Sequence, residues 1–227
     1  MTREGGSMGY GVVFKVDTTG NHYTVLHNFT GGHDDGATSD HGYVVQSGHH
    51  LYGMTTNGGH HNDGVIFKLN IDDQTFDVLH RFGETNSDGK HPYGSLLLVR
   101  DKLYGTTQNG NVFTITPSGT FATIFTFPAD GTGGARPSGE ILRASDNSLW
   151  GVTAFGGANG EGTVFKIVNS IVTAPVVSLP AGFNPLAGLI QGTDGNFYGT
   201  ATDFGDAGGG TIFKLTPAGV LTILHTM

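Results

Sequence analysis

The sequence predicts an all-β fold, a β-propeller of four-stranded antiparallel blades, on three grounds. The phrase Gly-x-Val-Phe-Lys recurs as Gly11–Lys15, Gly64–Lys68, Gly110–Thr114, Gly162–Lys166 and Gly210–Lys214, with its phenylalanines 53, 46, 52 and 48 residues apart. A second phrase travels in register with it: Tyr52-Gly53, Tyr104-Gly105, Trp150-Gly151 and Tyr198-Gly199. Between these landmarks lie short runs rich in Val, Ile, Thr and aromatics, bounded by Gly, Asp, Asn and Pro, and no window holds the i, i+3, i+4, i+7 apolar spacing of a helix. A repeat of about 50 residues with four strands, here named a to d, is the unit of a propeller, whose blades bury their faces against one another.

The elements follow in order. From the strand-b aromatic to the strand-c phenylalanine the count is 15 in three units (52 to 67, 150 to 165, 198 to 213) and 9 in the unit from 104 to 113, which marks the b–c connection as a surface loop tolerant of length change. Counting 15 back from Phe14 falls before residue 1, so Val12 to Phe29 supply only strands c and d of a partial blade, 1–29. Gly5 to Gly9 then match the b–c loop Gly156 to Gly160; their Gly-x-Ser-x-Gly string enters a strand instead of the helix that a hydrolase elbow needs, which makes it repeat filler. Complete blades are expected at 42–82, 93–127, 139–179 and 188–225, giving one domain over 1–227 of four blades plus a two-stranded N-terminal remnant. In the blade 93–127 the runs are Tyr93–Val99, Leu103–Thr107, Asn111–Thr116 and Thr120–Phe127. The five strand-c phenylalanines are expected as wedges between blades, and the glycine after each strand-b aromatic as a point of close backbone approach. An incomplete blade leaves unpaired strand edges, so a homodimer through the open edges is expected.

These residues also carry a resemblance. Thr193-Asp194-Gly195-Asn196-Phe197-Tyr198-Gly199-Thr200 and Gly210-Thr211-Ile212-Phe213-Lys214-Leu215-Thr216-Pro217 look like the GloVer (Gloeo/Verruco) tandem repeat, and the match runs over nearly the whole chain. It departs at Leu179-Pro180-Ala181-Gly182, where Asp-Gly is the pattern. The resemblance implies a propeller from a bacterial protein that is secreted or displayed on the cell surface; it implies no particular activity.

Composition narrows the partners. Eleven Lys and Arg against nineteen Asp and Glu give a net charge of −8 with no basic cluster, which argues against nucleic acid and anionic membranes. No run of about 18 apolar residues exists and Met1 to Tyr10 have no apolar signal core, so the chain as given shows no targeting signal. The absence of cysteine excludes disulfides and thiolate metal sites.

One constellation breaks the repeat. The d–a connection Gly32-His33-Asp34-Asp35-Gly36 to Asp40-His41-Gly42 and the b–c loop Gly59-His60-His61-Asn62-Asp63-Gly64 belong at the same end of an up-and-down blade. His60 and His61 stand where the fourth unit has Ala158 and Asn159. His33, His41, His60 and His61, with Asp35 and Asp63 as carboxylate ligands, are therefore candidates for a divalent metal, zinc being best suited to imidazole and carboxylate. The plainer alternative is a set of polar loop histidines on a wet surface, and adjacent residues of an extended segment point apart. Asp35-Gly36 is echoed by Asp88-Gly89 and Asp130-Gly131 and reads first as a turn. Asp194-Gly195-Asn196 and Asp146-Asn147 read as a–b turns, lacking the later Glu of a calcium loop. His49 and His50 fall in an a–b turn at the other end.

Two functions compete. One is a binding module whose d–a and b–c loop face takes a glycan, a peptide or a small molecule, with Tyr43, Tyr93 and Trp150 as exposed platforms. The other is a metal-dependent hydrolase of esters or phosphoesters, in which Asp34, Asp40 or Asp63 would be the base for a metal-bound water. No complete catalytic set assembles from the sequence, which favours binding and leaves the catalytic residues unassigned.

Overall fold

The computed structural model describes residues 1–40, 42–202 and 209–227. Every regular element among them is a strand. The strands are β1 (Val12–Lys15), β2 (Thr24–Asn28), β3 (Gly36–Ala37), β4 (Val45–Ser47), β5 (His50–Thr55), β6 (Asn57–Gly58), β7 (Val65–Asn70) and β8 (Phe76–Arg81). They continue with β9 (Pro92–Val99), β10 (Lys102–Thr107), β11 (Asn111–Ile115), β12 (Phe121–Thr126), β13 (Ala135–Arg143), β14 (Leu149–Phe155), β15 (Thr163–Val168) and β16 (Ile171–Ser178), and end with β17 (Ile190–Gln191), β18 (Phe197–Ala201), β19 (Thr211–Leu215) and β20 (Leu221–Thr226). Four four-stranded sheets form, β4-β5-β7-β8, β9 to β12, β13 to β16 and β17 to β20, each joining its strands in chain order; β1-β2 and β3-β6 are two-stranded. The chain divides into two compact units, Met1–Gly105 with Thr114–Ala122, and Thr106–Phe113 with Thr123–Met227.

The two repeated phrases turn out to be one device. Gly53 pairs with Phe67, Gly151 with Phe165 and Gly199 with Phe213 across neighbouring strands. A Cβ on these glycines would lie 2.5, 2.2 and 2.5 Å from Cζ of the paired ring, so the glycine is the floor on which the phenylalanine lies. That corrects the expectation of a close backbone approach: the requirement is set by a side chain on the next strand. The rings are buried, Phe67, Phe113 and Phe213 at 0% exposure and Phe165 at 1%. In the first unit Phe67 meets Phe29 edge-on at 5.5 Å, within a core of Val13, Leu26, Leu51 and Leu69. In the second, Phe165 meets Phe127 at 5.4 Å, and Trp150, Phe183, Phe197 and Phe213 share another core.

The leading glycine of each Gly-x-Val-Phe-Lys phrase has a separate reason. Gly11, Gly64, Gly110, Gly162 and Gly210 have φ between 97° and 104°, the left-handed side where glycine is favoured. Their carbonyls accept the amides of Phe29, Phe82, Phe127, Leu179 and Met227, fastening strand d to strand c at the same place in each unit. Between Val13 and Phe14, Ile66 and Phe67, and Ile212 and Phe213 the register slips, a bulge in which strand d carries one extra residue, Leu26, Leu79 and Leu224 respectively.

Some boundaries move. Strand a of the second repeat is only Val45–Ser47, and β13 begins at Ala135 where Gly139 was expected, because the backbone of the d–a connection already pairs with β14 from Ala135 onward. Asp146 and Asp194 are used on their own turns, accepting the amides of Ser148 and Asn196.

Candidate functional site

The d–a connection and the b–c loop of the second repeat meet, within the first compact unit, through the β3–β6 pairing: Gly36 stands opposite Gly58 and Ala37 opposite Asn57. The Gly59 amide adds bonds to the carbonyls of Asp35 and Gly32, and the Asn62 side chain, from a left-handed residue, accepts the Gly58 amide at 2.9 Å. Glycine is required where the strands touch, since a Cβ on Gly36 would lie 2.5 Å from Thr55 and one on Gly58 2.6 Å from the Asp35 carbonyl oxygen. The a–b and c–d turns lie together elsewhere, the Ile71 amide bonding the His49 carbonyl and His49 Nδ1 sitting 2.7 Å from Asp72. The assignment of His49 to the opposite end from His33 and His60 agrees with these contacts.

On this platform the rings of His33 and His60 are 5.4 Å apart, edge to face. Both residues are exposed, as is His61. His60 Nδ1 lies 2.7 Å from Glu84, which fixes that side of the ring. Arg81 braces the other loop: its Nε donates to the His33 carbonyl at 3.1 Å and its terminal nitrogen to Asp34 at 2.6 Å. His41 lies outside the described residues.

Asp35 and Asp63 turn inward and do not join the histidine pair. Asp35 Oδ2 accepts the amide and hydroxyl of Thr30, and Oδ1 accepts the Gly36 amide and faces His27 Nε2 at 3.0 Å. Burial raises its pKa, but the bonds from His27, Gly36 and Thr30 outweigh this and hold it below the ordinary carboxylate value. Asp63, equally buried, holds Lys90 at 2.8 Å and has His91 Nε2 at 3.6 Å, while His91 Nδ1 donates to the Thr56 carbonyl. Among the described residues no three of His, Asp and Glu are grouped so as to hold a metal ion.

Asp35 belongs to a motif that the sequence only half revealed. His27, bonded to Asp35, stacks on Phe76 at 3.8 Å and 3°. One repeat later His80, facing Asp88 at 3.5 Å, stacks on Phe121 at 3.7 Å and 2°. These are histidine–carboxylate pairs wedged between sheets. His80 is driven below its ordinary pKa by burial, against the pull of the Asp88 and Glu84 carboxylates. Asp130 does not repeat the pattern: it stays exposed and accepts the amide and hydroxyl of Thr132.

The aromatic candidates separate. Tyr43 is 51% exposed, its amide bonded to Ser95 Oγ, and Tyr93 is half-buried. Trp150 is no platform: at 1% exposure it donates to Ser148 Oγ, packs on Phe197 at 4.4 Å and lies under Lys166, because strand-b aromatics face the next sheet. Sequence reading missed Tyr10, 42% exposed and lying against Gly31 at the margin of the loop platform, and Arg81, Glu84 and His91, which extend it. Only Tyr10 had a signal, its place in the b–c loop of the partial first unit.

Comparison with known proteins agrees with this architecture. The Gloeobacter/Verrucomicrobia repeat model matches residues 1–127 and 107–227. No curated protein matches the sequence. Among solved structures, the extracellular domain of a proposed one-component system from Bacteroides thetaiotaomicron is 14% identical with a TM-score of 0.63, covering 100% of this chain and 29% of its own. A proposed 6-phosphogluconolactonase from Bacteroides fragilis is 16% identical with a TM-score of 0.62, over 100% of this chain and 65% of its own. A gluconolactonase from Xanthomonas campestris is 14% identical with a TM-score of 0.57, over 96% and 69%. At these identities the likeness is one of fold, and the fold is propeller-like. The chain spans less than a third of the first of these proteins and about two thirds of the other two.

Proposed function

We propose that this chain, which belongs to the Gloeobacter/Verrucomicrobia repeat family, is a propeller-type binding module of four complete blades and a two-stranded remnant, with the loop platform around His33 and His60 as its ligand surface. The observation that carries the reading is the β3–β6 pairing, which makes one rigid surface of two loops and leaves His33, His60 and His61 exposed on it, with Tyr10 at its margin. Rigid loops presenting aromatic and polar groups suit a glycan or peptide, whose binding gains from a surface ordered in advance. The parent protein is proposed to be secreted or displayed on the cell surface, where such ligands occur.

The rival hydrolase reading draws on neighbours described as lactonases. Its three candidate bases are already occupied: Asp34 by Arg81 at 2.6 Å, Asp40 by Arg3 at 3.0 Å and Asp63 by Lys90 at 2.8 Å. Asp40 and Asp63 are paired and largely covered, and Asp34, though exposed, is turned to Arg81 with no catalytic set assembled around it among the described residues, so binding is the better account. Glycan and peptide arrays probed with the protein and with Tyr10→Ala, Tyr43→Ala and His60→Ala test it; binding that none of these changes weakens would place the ligand elsewhere. Turnover of simple esters, lactones or phosphotriesters, lost with chelator and restored by zinc, would favour the hydrolase.

A second reading, a divalent metal on the same surface, is supported by the His33–His60 ring pair and by Glu84 behind His60, the arrangement by which carboxylates orient ligating imidazoles. Zinc would be held by these two histidines, with His41 and His61 the other candidates. Calorimetry with Zn²⁺, Mn²⁺ and Ca²⁺ should show saturable binding that His60→Ala and His33→Ala weaken and His49→Ala leaves alone; equal binding by all three variants removes the site.

A further inference from the structure

Within each compact unit successive sheets are joined by the same contact. One face offers the residue before the strand-c phenylalanine together with its strand-d partner: Val13 with His27, Ile66 with His80 and Val164 with Val177. The next sheet answers with its phenylalanine and the aromatic at the start of strand d, as Phe67 with Phe76. Where the contact is made its apolar residues vanish from solvent: Val13, Ile66, Val112 and Val164 are all at 0% exposure.

Two sheets carry half of this contact each, uncovered. On β17 to β20 the equivalent pair is Ile212 with His225; Ile212 is 37% exposed, Met227, in the place of Phe29 and Phe82, is 54% exposed, and His225 is exposed. On β1-β2 the answering face is open: Val16 is 49% and Tyr23 57% exposed, where Leu69, at the place of Val16 in the next repeat, is at 0%. Tyr23 occupies the place of Phe76, for the Phe14–Tyr23 rings lie 5.2 Å apart at 35° and the Phe67–Phe76 rings 5.3 Å apart at 27°.

We propose that the β17–β20 face of Ile212, His225 and Met227 is a docking surface for the β1-β2 face of a second copy of this chain, with His225 stacking on the partner's Tyr23 as His27 stacks on Phe76 and His80 on Phe121. The occupant is named by continuity: among the described residues, the knobs that this face accepts elsewhere are found uncovered on the surface bearing Phe14, Val16 and Tyr23. The association is head to tail, since the two faces differ, and it buries sheet faces instead of pairing the open strand edges expected from sequence. A head-to-tail contact also has a signature that an isologous dimer lacks.

The test is a complementation experiment read by sedimentation and light scattering at micromolar concentration. The wild type should associate reversibly. Ile212→Asp and Tyr23→Asp, each changing an exposed side chain on one face only, should weaken self-association at least about tenfold, equivalent to about 1.4 kcal/mol, since each places a desolvated charge at the centre of an apolar contact. Mixed in equal amounts, the two variants should form a one-to-one dimer, the first supplying its intact β1-β2 face and the second its intact β17–β20 face. His225→Phe should associate and His225→Ala should weaken, as stacking demands. Emission from the single tryptophan, Trp150, verifies that each variant is folded. A wild type that stays monomeric at every concentration, variants that associate as the wild type does, or a mixture that fails to pair would each overturn the proposal; the first points to closure within one chain and the last to edge pairing.

Discussion

The floor glycine at 151 allows the sharpest stability measurement. A methyl group there would sit 2.2, 2.7 and 2.9 Å from Cζ, Cε1 and Cε2 of Phe165, all inside the closest approach that packed carbons tolerate. The ring cannot swing clear, being 1% exposed and set against Phe127, while both backbones are held by the β14–β15 ladder. Gly151 has no left-handed φ, so alanine meets no backbone strain and the whole penalty is overpacking. Overpacking costs about 1–3 kcal/mol, and three ring contacts argue for the upper half; the entropy alanine removes from the unfolded chain returns about 0.4–1 kcal/mol. The net loss of about 1–2.6 kcal/mol should lower the melting temperature by roughly 2–10 °C, at about 2–4 °C per kcal/mol for a chain of this size. Gly32→Ala is the matched control, its nearest neighbour 3.6 Å away, and should leave the melting temperature level or slightly raised. Combining Gly151→Ala with Phe165→Leu should cost less than the sum of the single changes by about 1 kcal/mol, since the smaller side chain vacates the contact. Unaltered melting in Gly151→Ala, or additive single changes, would refute the reading of aromatic-Gly and Val-Phe-Lys as two halves of one contact.

The histidine–carboxylate pairs yield predictions from their pKa shifts. Asp35 is held below its ordinary value, so its stabilisation is present above about pH 4 and lost as pH falls through the lowered folded value; Asp35→Asn should cost about 1–3 kcal/mol at neutral pH and flatten the acid limb of the stability curve, whereas an unchanged acid limb in denaturant titrations would contradict this. His80 is shifted down by burial, so the unfolded chain takes the proton first: stability is full above about pH 6.5 and declines below it until the folded histidine also titrates. His80→Phe should remove that decline while keeping the stack on Phe121, and the same pH slope in this variant would show that another group carries it.

Much of the sheet order was legible because its signals are local and repeated. The Phe-Lys phrase marks strand c, the aromatic-Gly phrase strand b, and a count of residues between them separates ladder from loop. What escaped was the reason for each landmark. Gly53, Gly151 and Gly199 read as backbone glycines, yet the constraint on each comes from a ring 14 residues away across a ladder, visible only once the register is known. Trp150 was misjudged for the same reason: its type suggested a platform, but its register points it at the next sheet, and Tyr52, at the same position two repeats earlier, is also buried, at 3% exposure.

The candidate site was legible as a place and much less as a set of ligands. Topology alone brings the His33 and His60 loops together, and β3–β6 shows how tightly. Side-chain direction is another matter, since it depends on partners far off in sequence: Asp35 is drawn inward by His27 and Thr30, and Asp63 by Lys90, leaving the outward surface to imidazoles, Arg81 and Glu84. The same division explains why the histidines do two kinds of work. Those on strand d, His27 and His80, are packed between sheets against aromatic rings and are part of the architecture. Those on the loops are under no such constraint, and their departure from the repeat marks where this propeller-like frame is free to carry a function of its own.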